Sequence, residues 1–306
     1  MLYLLRTKPR RRAALAAITG IAVLFVAAPV SVAAVTPTVP LGTAGGYSVI
    51  AAETVTNTGN STLAASLGLW PGSSVTGFPP GQVLAPGTIE ATTSAAQQAQ
   101  ADASTAYDNA AGRLVDVTTT ADLANLQLTP GVYSGPSKSA LLLSGPLVLD
   151  AQGDKSAVFV FQTDSTLITS SGSTVSLING AQECNVFWQV GSSATLGSGS
   201  IFAGTILARA SVTVNDGVTV HGRAFALTAA VTLQNDTFTQ PTCDVATGPT
   251  GPTSPTDTTM PAPIDERTIP RTGPTGTALP LFAGVVVVVG GLAMFAARRR
   301  PNPMCP

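Results

Sequence analysis

The chain has 306 residues, of which 44% are hydrophobic and only 10% charged, with 15 Lys and Arg against 16 Asp and Glu for a net charge of −1. That balance leaves no electrostatic footprint for a nucleic acid or an anionic membrane surface, so neither is expected as a partner. One histidine and three cysteines are too few and too scattered to suggest a metal centre or a cofactor, and none is expected.

The first element is MLYLLRTKPRRRAALAAITGIAVLFVAAPVSVAA. Basic residues Arg6, Lys8, Arg10, Arg11 and Arg12 precede an apolar run from about Ala13 to Val30, and small residues Ala33 and Ala34 close it. This order predicts a secretory signal peptide over 1–34, cut after Ala34. The alternative is a membrane anchor, since the run is long enough to span. A secreted domain is expected over 35–244.

Next, GYSVIAAETVTNTGNSTLAASLGLWPGSSVTGFPPGQV (46–83) has short β runs broken by Asn-Thr-Gly and Pro-Gly turns. It predicts coils at one end of a repeat array. The alanine-rich TIEATTSAAQQAQADASTAYDNAAGR (88–113) predicts a helix. Ala95, Ala96, Ala99, Ala103, Ala106, Tyr107 and Ala110 share one stripe, Glu90 falls in the first turn and Gly112 at the end.

The repeat itself is NVFWQVGSSATLGSGSIF (185–202), AGTILARASVTVNDGVTV (203–220) and HGRAFALTAAVTLQNDTFT (221–239), lines of 18, 18 and 19 residues. AVFVFQTDSTLITSSGSTVSLING, from Ala157, fits the same frame with about ten extra residues before Cys184. Such units cannot bury a face alone and must stack, which predicts a mainly β protein, a parallel β-solenoid of triangular section.

Each side has its own chemistry. The first (VFVF, NVFWQV, GTILA, GRAFA) is apolar inward and outward, so a cover is expected, and the helix is the expected cover; Phe187 and Trp188 read as core there. On the second, Thr166, Thr195, Thr213 and Thr232 alternate with Leu167, Leu196, Val214 and Leu233, which predicts an outward threonine ladder. The third stacks small polar groups: Ser170 to Thr174, Ser198 to Ile201, Asp216 to Thr219 and Asn235 to Thr237.

Catalysis finds little support. His221 reads as a hydrogen-bonded corner residue at the start of a coil, Asp150 as the end of a strand in a turn, and Asp216 and Asp236 as offset in their turns rather than converged for acid–base work. No catalytic residue is expected. Cys184 and Cys243 should pair in an oxidising exterior.

Residues 245–268 are rich in Pro and Thr and predict an extended stalk. Over 269–306, IPRTG, an apolar span from Ala278 to Ala297 and Arg298, Arg299 and Arg300 together resemble a sortase cell-wall sorting signal, whose pattern is Leu-Pro-x-Thr-Gly. The resemblance implies that Pro270 is the pattern's proline, that Thr272 becomes linked to peptidoglycan by a sortase, and that Gly273 leaves, with Cys305 behind the cut. The alternative is a plain C-terminal transmembrane helix, positive side inward.

LGTAGGYSVIAAETVTNTG (41–59), GSSVTGFPPG (72–81), LVLDAQGDKSAVFVFQ (147–162), NVFWQVGSSATLGSGS (185–200), AGTILA (203–208) and GRAFALTAAVTL (222–233) resemble the microbial ice-binding proteins. The resemblance implies a right-handed solenoid with one long helix along a side, and binding to an ice crystal surface through a flat face carrying a Thr, Ala or Gly, any residue, Thr or Asn motif. The matching positions are Ser171 to Thr174, Ser198 to Ile201 and Asp216 to Thr219, with Ile201 and Asp216 departing from it. The expected ice-contacting face is therefore Ser171, Thr174, Ser198, Ile201, Asp216 and Thr219, with Thr166, Thr195, Thr213 and Thr232 as the rival. The expected protein is a wall-anchored monomer with antifreeze activity; the alternative function is a surface adhesin that holds polysaccharide or another cell.

Overall fold

A computed structural model describes residues 36–241 and 243–244. The expected signal peptide, stalk, C-terminal apolar helix and sorting residues Pro270, Thr272 and Gly273 lie outside the described residues, as does Cys305. What is described is mainly β, with parallel strand pairing throughout its two sheets and one α-helix, α1, at Ser94–Ala111.

The stacking follows the repeat. Along one ladder Val132 pairs with Val160, Val160 with Phe187, Phe187 with Thr205 and Thr205 with Arg223, so each coil lies beside the next in sequence. The N-terminal residues are coils at one end, as expected, but they dock directly on the last coil of the repeat. Val49 pairs with Ala224, Val55 with Val231 and Thr62 with Thr237. From there α1 returns across the strands Ser66–Leu69, Tyr47–Ala51, Ile201–Ala208, Val186–Val190 and Phe159–Thr163.

Burial divides into two layers. Inward residues such as Phe159, Phe161, Trp188, Ile206, Leu196, Val214 and Leu233 fill the space inside the coils, where Trp188 stacks on Phe161 at 4.0 Å between ring centres. The outward residues Val160, Phe187, Leu207, Phe225 and Ile50 pack under Ala99, Ala103, Ala106, Tyr107 and Ala110 of α1. Alanine lets the helix approach closely, and two glutamines that point outward from that face help to hold it. Gln162 donates to the carbonyls of Ala110 and Arg113 (2.7 and 2.9 Å) at the end of α1, Gln189 donates to the Tyr107 hydroxyl (2.8 Å), and Gln100 reaches back to the Leu227 carbonyl (2.8 Å).

Two details of the helix differ from the sequence reading. Thr93 is its cap, accepting from the Ala96 amide (3.0 Å), which leaves Glu90 in the preceding strand, where it accepts from the Tyr47 hydroxyl rather than sitting in the first turn. Ala95 is exposed and Gln100 takes its place in the buried stripe, because Gln100 has a carbonyl to bond on the face below. Gly112 ends the helix as expected.

The strands Ile201–Ala208 and Thr219–Ala226 run continuously from the third side to the covered one, bending at Gly204 (φ +110°) beside Gly222. A Cβ at 222 would sit 1.8 Å from the Gly204 carbonyl oxygen, so neither corner position admits a side chain.

Candidate functional site

Two faces of the stack remain uncovered by α1. On the first, Thr195 pairs with Thr213, Thr213 with Thr232, Thr232 with Thr56, and Thr56 with Thr76. This puts five threonines in register on five successive strands, at the rung spacing of about 4.8 Å that parallel pairing imposes. The alternate residues Ala194, Leu196, Val212, Val214, Val231, Leu233 and Val55 are buried in the core, which holds the ladder's backbone rigid. β-branched side chains add their own stiffness at χ1. A second outward row, two positions back along the same registers, carries Ser193, Ser211, Ala230, Thr54 and Ser74, with Ser211 donating to Ser193 (2.9 Å). Over these five rungs neither row contains a charged side chain; the first charge in the threonine row is Asp122, which bridges to Leu142 three rungs beyond Thr195.

Thr166 does not stand in the ladder. Leu167 pairs with Ala194 and Ile168 with Thr195, so Ile168 and then Leu142 continue the threonine row, and Thr166 falls beside Ser193 in the second row. A slip of two residues keeps every side chain on its own face, and the alternating pattern therefore cannot detect it. The corner decides: six positions separate Ile168 from Thr174 and Thr195 from Ile201, and the register that pairs Ile168 with Thr195 also pairs Thr174 with Ile201.

On the other uncovered face Thr174 pairs with Ile201, Ile201 with Thr219, Thr219 with Thr237, and Thr237 with Thr62. Ser171, Ser198 and Asp216 precede them on adjacent turns, where the Gly172 amide bonds the Ser198 carbonyl (3.0 Å) and the Gly199 amide the Asp216 carbonyl (2.9 Å). All six residues of the sequence-preferred set thus lie together. Their surface is less uniform than the threonine ladder: Ile201 is exposed in the row, and the Asp216 carboxylate accepts from Asn235 (2.9 Å).

The ten-residue insertion also encroaches on this second face. Its segment Glu183–Asn185 packs on the strands Ile201–Ala208 and Thr219–Ala226. His221 is hydrogen-bonded, as expected, and stands just before the corner glycine Gly222, 3.0 Å from the Thr239 hydroxyl and 3.6 Å from a Glu183 carboxylate oxygen. The insertion is anchored by the Cys184–Cys243 disulfide, by Lys155 paired with Asp244 (2.9 Å) and by the Asp244 amide donating to Gln182 (2.6 Å).

Sequence reasoning missed Thr56, Thr76 and Thr62 as site residues, and it placed Thr237 on the third side without including it in the expected face. The signal was present, since Thr56 and Thr62 are separated by the same six positions as Thr213 and Thr219. It was hidden because Thr56 lies more than 150 residues from the strand it extends.

The profile of a family described as Ice-binding-like matches residues 49–239. An ice-binding protein of Nostoc sp. (strain HG1) is 48% identical over 198 residues, covering 64% of this chain and 72% of that one. Among solved structures, an ice-binding protein from an Antarctic biological consortium is 43% identical with a TM-score of 0.66, over 69% of this chain and 94% of that one. Another, from the Antarctic ascomycete Antarctomyces psychrotrophicus, is 37% identical with a TM-score of 0.63, over 68% of this chain and all of that one.

Proposed function

The chain belongs to the ice-binding-like family, and from that premise we propose that it is an ice-binding protein whose contact surface is the ladder of Thr195, Thr213, Thr232, Thr56 and Thr76. The observation that carries the choice of face is five threonines in strict register with no charge in either outward row over those five rungs. Ice offers a regular lattice of oxygens and no isolated charge, so its complement is a flat, repeating and uncharged array. Each rigid threonine presents a methyl group and a hydroxyl, which together order water at the rung spacing and let that layer merge with a crystal. A hydrated carboxylate such as Asp216 orders water to itself, which weighs against the neighbouring face of Ser171, Thr174, Ser198, Ile201 and Thr219.

The same reading includes the right-handed winding and triangular section that the sequence resemblance implies, a monomer as the working unit, and export with attachment to peptidoglycan by a sortase through Thr272. Among the described residues the exposed large hydrophobic side chains are all aliphatic, with no row of aromatic platforms of the kind a sugar-binding groove would use, which favours ice over the adhesin alternative. The test is the domain 35–244 in a recrystallisation assay. Shaped crystals and slowed coarsening at micromolar concentration are expected, and normal coarsening by the folded domain would reject the reading. Attachment is tested separately: detergent alone releasing the intact protein from cells, without muralytic digestion, would replace the wall linkage by a membrane anchor.

A further inference from the structure

The threonine ladder is assembled from two parts of the chain. Thr195, Thr213 and Thr232 follow one another coil by coil, but Thr56 and Thr76 arrive from the N-terminal coils, and the step from Thr232 to Thr56 joins strands far apart in sequence. The ladder is flat only if this seam is held in register. The turn at the seam is also one position shorter than those of the coils on either side: five positions separate Thr232 from Thr237, against six between Thr213 and Thr219 and between Thr56 and Thr62.

Asp236 fills that turn. It is fully buried, at 0% exposure, and its two carboxylate oxygens accept from the amides of Val218 (3.0 Å) and Gln234 (2.6 Å). Across the seam its own amide donates to the buried Ser61 hydroxyl (2.9 Å), while the Thr62 amide donates to its carbonyl (2.8 Å). Its neighbour Asn235 accepts from the Asn60 amide (2.8 Å). The equivalent buried corner positions in the earlier coils, Ser173 and Ser200, make no side-chain hydrogen bond. A buried carboxylate is therefore found where two distant segments must meet, and not where consecutive coils follow one another.

We propose that Asp236 is a positioning residue of the ice-binding face, a clasp whose carboxylate fixes the last coil's turn so that the N-terminal coils dock with Thr56 beside Thr232. This rests on the ice-binding reading for its activity readout but not for its structural one. Replacing the carboxylate by an amide keeps the shape yet aims an N–H donor at one of the two backbone amides, so the clasp is broken with little change in volume.

The experiment compares wild type, Asp236→Asn, and Leu123→Ala, a core truncation in the coil at the opposite end. Assayed at about pH 8, above the raised Asp236 pKa of about 7 so that the carboxylate is ionised, Asp236→Asn is expected to raise the concentration needed to stop recrystallisation by roughly tenfold, the scale of a lost hydrogen bond to a charged group. It should also speed hydrogen exchange at the amides of Thr54–Thr58. Leu123→Ala, compared at the temperature where it has lost the same stability, should do neither. Burial pushes the Asp236 carboxyl up to about 7, with the neighbouring Asp216 adding to the rise, so in the wild type the amide resonances of Val218 and Gln234 should titrate together with a midpoint near that value. If Asp236→Asn fails to fold, Ser61→Ala, which removes the acceptor on the other side of the seam, should give the same selective loss.

Activity retained in the folded variant, or a loss no greater than that of Leu123→Ala, overturns the proposal. So does seam exchange that stays at the wild-type rate. A wild-type domain inactive on ice but with fast seam exchange in Asp236→Asn would instead reject the ice reading and leave the clasp standing.

Discussion

The helix-covered face and the threonine face belong to two different sheets of the same parallel pairing, and what sets them apart is what points outward. Under α1 the outward residues are Val160, Phe187, Leu207, Phe225 and Ile50; on the open face they are Thr195, Thr213, Thr232, Thr56 and Thr76. An apolar outward row makes a sheet face a second core and demands a cover. A row of threonines gives a face that is rigid from below and wettable from above. The division implies that substitutions on the first should act on stability, and those on the second on ice adsorption with stability unchanged.

The largest expected effect is on the covered side. Phe187→Ala should cost about 3–5 kcal/mol, the usual range for a buried aromatic truncated to alanine, measured by denaturant unfolding, with activity falling only as the folded fraction falls. A folded, stable Phe187→Ala domain that is inactive on ice would break the division. Reducing the Cys184–Cys243 bridge, which closes a loop of 59 residues in sequence separation, should cost about 4 kcal/mol by the chain-entropy account. As the bridge lies in neither outward row, the reduced protein should keep its activity in the cold while melting earlier.

Acidity tests the corner between the faces. Asp236 has a folded pKa raised to about 7 by burial, so its folded form holds a proton that the unfolded chain releases, and this contribution to stability is lost as pH rises towards that value. Asp122 is held low, first by the Ser144 hydroxyl, so its contribution is lost as pH falls through the ordinary carboxylate range. Stability measured across pH 4–8 should therefore peak on the acid side of about 7. A monotonic rise to pH 8 would show that Asp236 is not buried as described.

Smaller in energy but most diagnostic is Thr213→Tyr. A bulky residue in the middle of the ladder should move unfolding stability by no more than about 0.5 kcal/mol, yet weaken ice adsorption by roughly tenfold, about 1.4 kcal/mol. The smallest effect is expected for Thr219→Tyr on the neighbouring face, which should leave recrystallisation inhibition near the wild-type value. Loss in Thr219→Tyr with retention in Thr213→Tyr would move the site to the face of Ser171, Thr174, Ser198, Ile201 and Asp216.

Much of this architecture was legible in the residues. The 18-residue recurrence of NVFWQV, AGTILA and GRAFAL dictates parallel stacking, because each unit exposes an apolar edge and face that only a copy of itself can bury. Alternation in ATL, VTV and VTL sets which threonines point out, and the alanine stripe of 96, 99, 103, 106 and 110 identifies the cover, since both are local consequences of strand and helix periodicity. Tertiary structure alone decided three things. It placed Ile168, not Thr166, beside Thr195, a slip of two that leaves the polarity pattern unchanged; it put Gln100 in the buried stripe, where only the carbonyls of the opposing face give an amide a partner. It also closed the stack by docking the first coils on the last, completing the ladder with Thr56 and Thr76. That contact is written in no local pattern, because its two sides are joined by backbone pairing and by the Asp236 amide donating to the Ser61 hydroxyl, across a separation that the repeat never spans.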